Sequence, residues 1–169
     1  MSQYPVLAVG QRLTADVLAS MLPIQARKTS ASTRTSTTSS TADAELVITL
    51  EANAVYKFVF FLKYDAAVAG DIRWNWVGPS GILGDYALSA VSVGAAAATT
   101  EDLAINYSLS ATGGAGGLGA GTACGAQAIG TITTSATAGT LTFTWAQFTS
   151  SGTASTLQAG SYIECTRIG

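Results

Sequence analysis

The 169-residue chain contains no histidine and only two cysteines, and each shortage removes a class of chemistry. Without histidine it cannot supply the commonest general base or the commonest metal ligand. Cys124 and Cys165 are too few for a disulfide framework or a Cys-rich zinc site, so both are expected to be free structural thiols. Charge is scarce too: Asp, Glu, Lys and Arg make up 11% of the chain, with a net charge of −2, against the usual quarter or so. The chain as a whole therefore presents no field that would draw in nucleic acid or anionic lipid. Arg12, Arg27, Lys28 and Arg34 cluster in the first fifth, and the plain reading is four solvated charges. The longest apolar run, VYKFVFFLKY, is interrupted by Lys57 and Lys63 and is too short to span a bilayer. The opening MSQYPVLAVGQRL lacks the basic and apolar regions of a secretory signal. The expectation is a soluble product of the cytosol, with no membrane insertion and no nucleic-acid partner.

What the chain does have is 48% hydrophobic residues set among small neutral ones, which points to packed β-structure with uncharged outer faces. The length suits one domain, able to remove roughly two-thirds of its unfolded surface from water. From residue 46 the period is two. Leu46, Ile48 and Leu50 share one face, as do Tyr56, Phe58, Phe60, Leu62 and Tyr64, with Lys57 and Lys63 opposite. In DIRWNWV, Ile72, Trp74 and Trp76 point inward while Asp71, Arg73 and Asn75 point outward. Further strands are expected at YALSAVSV, LAINYSLS, AIGTITTS, LTFTWAQF and SYIECTRI, separated by the turn signals EANA, GPSG, TAGT and SSGT. Eight or so short strands predict an all-β fold, an antiparallel jelly-roll-like β-sandwich with a short N-terminal helix and an extended arm.

The helix signal is local. Thr14 is placed as N-cap, Asp16 lies in the first turn, Val17, Leu18, Met21 and Leu22 supply an apolar side, and Pro23 ends it. Leu13 and Leu18 stand where a hydrophobic staple would put them. Two turns are not stable alone in water, so this helix is expected to dock on the body or on another subunit. Residues 1–28 read as an anchoring segment and 29–169 as the sandwich. Within the latter, TSASTRTSTTSSTA has the composition of a linker, or of an edge strand guarded by Arg34.

Several patterns invite a site. Gly114, Gly116 and Gly119 in GGAGGLGAG match the spacing of a dinucleotide loop, but no helical period and no acid at the right offset follow, so Gly113, Gly114, Gly116, Gly117 and Gly119 read as a mobile, exposed loop. Trp74, Trp76 and Trp145 could form a sugar platform, yet each is in phase with apolar neighbours and reads as core. Asp65, Asp71 and Asp85 lack the spacing of a metal loop and read as solvated. Serine and threonine are plentiful, but nothing in the pattern activates one as a nucleophile. Asn106-Tyr107-Ser108 matches a glycosylation sequon, which carries no weight without secretion. The expectation is a protein that binds rather than catalyses, with no cofactor, no metal and no catalytic residue.

The two ends carry a resemblance. YPVLAVGQRLTADVLASMLP, AELVITLEANAVYKFVFFLKYDAAVAGDIRWNWVGPSG and AGTLTFTWAQFTSSGTASTLQAGSYIECTRIG together resemble small virion proteins of tailed bacteriophages of actinobacteria, of the minor tail or head decoration type. The resemblance leaves out roughly the glycine-rich region. It implies a jelly-roll head similar to trimeric fibre-head domains, preceded by an anchoring segment. It also implies a place on the exterior of head or tail, with a homotrimer of itself and phage capsid or tail proteins as partners. Tyr4, Val6, Leu7, Leu13, Val17, Leu18 and Met21 would supply the apolar anchorage. The reading of a different class is a carbohydrate-binding or host-receptor-binding module that holds a host-surface glycan.

Overall fold

The computed structural model describes residues 7–169, apart from the side chains of 103–105. It is an antiparallel two-sheet sandwich with one short helix. That helix, α1 (Ala15–Ser20), starts as its sequence dictates: the Thr14 hydroxyl accepts from the Val17 N–H at 3.3 Å. Twelve strands follow: β1 (Ile24–Arg27), β2 (Ser32–Arg34), β3 (Thr41–Leu50), β4 (Val55–Ala66), β5 (Ile72–Val77), β6 (Leu83–Val91), β7 (Glu101–Ser108), β8 (Gly113–Ala115), β9 (Gly119–Thr133), β10 (Gly139–Ala146), β11 (Ser155–Leu157) and β12 (Tyr162–Arg167). The larger sheet runs β1-β12-β4-β9-β6-β7, with β11 bridging β4 and β2 at one end; the smaller runs β3-β10-β5-β8.

The core lies where the two inward faces meet, and the period-two reading places its residues correctly. Tyr56, Phe58, Phe60, Leu62 and Tyr64 of β4 are fully buried, as are Leu46 and Leu50 of β3. All three tryptophans are buried with them. Phe58 meets Trp76 edge-on at 5.0 Å, and Trp76 meets Phe143 at 5.1 Å, the tilted contacts that aromatic quadrupoles favour. The Trp74 indole N–H donates to the buried Tyr86 hydroxyl at 3.2 Å. Each such side chain stabilises the fold by about 1.5–3 kcal/mol relative to exposure. This placement overturns the idea of a tryptophan sugar platform, because Trp74 and Trp145 are fully buried and Trp76 is only 8% exposed.

Four expectations are corrected. The first is the glycine stretch, which is neither mobile nor exposed from Gly113 to Gly117: those residues are buried, and the first three form β8 against β5. The reason is steric. A side chain on Gly113 would meet the Trp74 indole, one on Gly116 the Ser92 carbonyl, and one on Gly117 the Ala66 carbonyl. Only Gly119, at φ +119°, sits in partly open space and starts a strand.

The second correction is Asp71, expected to face solvent. It is buried at φ +48°, and its carboxylate accepts from the Gly117 N–H at 2.8 Å and from the Gly94 N–H at 2.9 Å. It therefore ties the glycine stretch to a neighbouring turn. The Tyr64 hydroxyl adds a third tie by donating to the Gly116 carbonyl at 2.8 Å.

The third is Lys28, which is not solvated but buried against Asp43. The fourth is the length of β9. The sequence predicts a strand only from Ala128 onward, yet β9 includes the nine residues before it, GAGTACGAQ, runs fifteen residues and pairs with both β4 and β6. Residues this small carry almost no hydropathy contrast, so the period-two signal was absent. The polar tract resolves toward the edge-strand alternative: Ser32–Arg34 is β2, paired with β11, and β3 begins at Thr41.

Candidate functional site

Exposed apolar side chains occur at several places among the described residues, Val77, Leu83 and Phe148 included, and they gather most closely in two regions. One is the N-terminal arm. No residue of α1 is buried, and the apolar side expected to anchor is open: Leu13 is 59% exposed, Leu18 and Met21 52% each, and Leu22 67%. Leu7 is also exposed and Val17 half-buried. Tyr4 and Val6, the other expected anchors, lie outside the described residues. The arm meets the body through a small hollow of about 180 Å³, lined by Ala19, Ser20, Leu22 and Ile24 on its side and Glu51, Tyr56 and Arg167 on the other. Of the segment 1–28, Ile24–Arg27 belong to the large sheet as β1, so the part outside the sandwich ends before Ile24.

Where the arm joins, one ionic cluster fastens the two sheets. Lys28 follows β1, and its ammonium donates to Asp43 Oδ2 at 2.7 Å and reaches Glu45 Oε2 at 3.4 Å, both acids on β3. Burial alone would raise the Asp43 carboxyl, but the hydrogen bonds from Lys28, the Glu45 N–H and the Ser32 hydroxyl outweigh it and hold it below its ordinary value. Glu45 accepts from the Thr29 hydroxyl and N–H and from the Ser30 hydroxyl and N–H, which brings its carboxyl down to about 2. These groups satisfy one another and leave no reactive member.

The second region is the outer face of the large sheet. Alternation turns Val59 and Phe61 of β4, Ile129 of β9, Ala87 of β6 and Tyr162 of β12 outward. The registers set them side by side. Tyr162, Phe61, Gln127 and Ser89 form one row across four strands, and Glu164, Val59, Ile129 and Ala87 form the next. Ile129 is 57% exposed, and the Phe61 and Tyr162 rings lie 6.0 Å apart at 38°. Beside this ridge lies a hollow. Two depressions of about 350 and 440 Å³ share Phe61, Ser89 and Gln127, and small residues such as Ala87, Ala123 and Gly125 line them. The sequence signal for this region is the pair of apolar residues Val59 and Phe61 between the two outward lysines of β4, which breaks the polar side of the alternation.

Neither cysteine offers a nucleophile. Burial pushes the Cys165 thiol up to about 12 and raises Cys124 as well. Among the described residues, no group of three or more acids and cysteines could hold a metal ion, and no helix is long and apolar enough to cross a membrane.

No family model matches the chain, and no curated protein matches it. A chain in the solved structure of infectious bursal disease virus, Gx strain, is similar over 88% of this chain and 37% of its own length, with 8% identity and a TM-score of 0.24. A likeness that slight carries no argument about this protein.

Proposed function

We propose that this chain is a structural protein of a bacteriophage virion, a capsid decoration or minor tail protein that is fixed to the particle through its N-terminal segment. The body is displayed as a rigid β-sandwich and assembles with copies of itself, with a trimer as the expected state. The observation that carries the reading is the arm: a capped helix whose apolar residues contribute nothing to the core of their own chain. A two-turn helix has little stability alone in water, so an apolar helix that its own body leaves uncovered fits a segment made to be covered by something else. The resemblance of the two chain ends to small phage virion proteins supports the same reading. In this account the protein works by binding and has no catalytic step.

The test is co-sedimentation with phage particles, for the full-length protein and for a form beginning at Pro23. The reading expects the full-length protein to travel with heads or tails and the shortened form to stay in the supernatant, folded. A full-length protein that binds neither heads nor tails would sink it.

A further inference from the structure

We infer that the outer face of the small sheet, around Arg73 and Asn75, holds a carboxylate-bearing sugar, a uronate of an acidic polysaccharide. The inference stands apart from attachment to a particle, and either can fail without the other.

It starts from an orphaned donor. Among the described residues four buried N–H groups have no acceptor: the Nε of Arg34 and of Arg73 and the indole nitrogens of Trp76 and Trp145. Three of them belong to the interior, since Trp76 and Trp145 are core and the Arg34 guanidinium lies 4.7 Å from the centre of the Trp145 ring. Arg73 is different. It is half-buried on the outward side of β5, and among the described residues it has no ion pair and no hydrogen bond. A guanidinium carries five donors in a fixed fork, and a carboxylate is the acceptor that matches two of them at once.

The neighbours keep this fork accessible and uncontested. On the same side of the sheet Arg73 is flanked by Ala146 of β10 and Gly114 of β8, both small and buried. Asp71, the acid nearest in sequence, spends its carboxylate on the Gly94 and Gly117 N–H groups.

What surrounds the fork suits a sugar. A side chain on Gly114 would strike the Phe148 ring, so that ring, 40% exposed, stands beside the Arg73 row. Two residues along β5, about 7 Å away, the Asn75 amide donates to the Thr112 hydroxyl at 2.8 Å and accepts from the Ser40 hydroxyl at 3.4 Å. One amide N–H and one oxygen lone pair remain free for a ligand. Thr144, opposite Asn75 on β10, adds another hydroxyl. A uronate needs this set: a fork for its carboxylate, groups that both donate and accept for its hydroxyls, and an aromatic ring for its C–H face. An acidic protein surface would also bring apolar side chains, and the rows of Arg73 and Asn75 have no apolar centre to receive them.

The experiment is a titration of isotope-labelled full-length protein, followed by NMR, with methyl glucuronide, methyl glucoside and acetate. The inference expects methyl glucuronide to move the Arg73 Nε–H and Asn75 amide signals saturably. Methyl glucoside lacks the carboxylate and acetate lacks the ring, so each should bind at least about 10-fold more weakly. Arg73→Lys keeps the charge but loses the fork, and it should weaken methyl glucuronide by a similar factor. Lys57→Gln removes a cation from the other sheet and should match wild type. Circular dichroism checks the fold of both variants, and the comparison of the three ligands on wild type stands even if Arg73→Lys does not fold.

No saturable shift at Arg73 with methyl glucuronide would overturn the inference. So would acetate or methyl glucoside binding as tightly, or a folded Arg73→Lys that binds as well as wild type. Any of these results leaves particle attachment standing, and a protein that binds methyl glucuronide but no particle would sink only the attachment.

Discussion

The Lys28 ammonium and the Asp43 carboxylate lie 2.7 Å apart with both side chains almost fully out of water, and they join strands of opposite sheets. Removing one partner leaves an uncompensated buried charge. Asp43→Ala is therefore expected to cost about 3–5 kcal/mol, seen as a lower urea midpoint. Replacing both by apolar residues of similar size, Lys28→Met with Asp43→Leu, is expected to restore most of the loss. A single variant as stable as wild type would show that the pair is not desolvated in solution.

The acid limb of the stability curve follows from the same cluster. Asp43 and Glu45 titrate in the folded protein below their ordinary values of 3.8 and 4.5, Glu45 near 2. A lowered folded-state value means stability that is complete above the unfolded value and lost as protons are taken up on the way down. The urea midpoint should hold steady from pH 7 to about 5 and fall between about 4.5 and 2. Glu45→Gln should flatten that fall by lowering the neutral-pH plateau, since the variant lacks from the start the stability that protonation removes, as chemical unfolding at stepped pH would reveal.

The glycine stretch should be intolerant of even one methyl group. Gly113→Ala and Gly117→Ala would each press a Cβ into the Trp74 ring or the Ala66 carbonyl, at an expected cost of about 1–3 kcal/mol or more. Gly152→Ala, with open space around it, should change the melting temperature little. Wild type should resist protease cleavage between 113 and 117, and ready cleavage there would contradict the buried placement.

The thiols should be inert in the folded state. With Cys165 at about 12 and Cys124 also raised, neither carries an appreciable thiolate fraction at pH 8. Maleimide or disulfide reagents should label close to none of the two sites until denaturant is added, and both afterwards. Mass spectrometry of the native and unfolded reactions decides it.

How much of this was legible in the sequence depends on side-chain contrast. Wherever large apolar residues alternate with polar ones, as in Tyr56 to Tyr64 or Ile72 to Trp76, the strand and its inward face were readable. The helix start at Thr14 was readable because a cap is a local device. Gly119 to Gln127 failed the same test, because a strand built of glycine and alanine has no contrast to detect. Asp71 and Lys28 failed for another reason. A buried charge depends on partners distant in sequence, here Gly117 for one and Asp43 for the other, and no local pattern announces them. The exposed ridge of Phe61 and Tyr162 joins strands a hundred residues apart, so it becomes visible only once the register is known.

The way the arm leaves the body also has a mechanical consequence. β1 is an edge strand held by four register pairs to β12, from Ile24–Cys165 to Arg27–Tyr162, and its far end is locked by Lys28. A tug on the arm along the strand axis would load all four pairs together, in shear, with the buried ion pair resisting any slide. A tug away from the sheet would open them one by one, beginning at Ile24, like a zip. The junction is thus anisotropic: the direction of a force on the arm, as much as its size, decides whether β1 holds to the sandwich or peels from it.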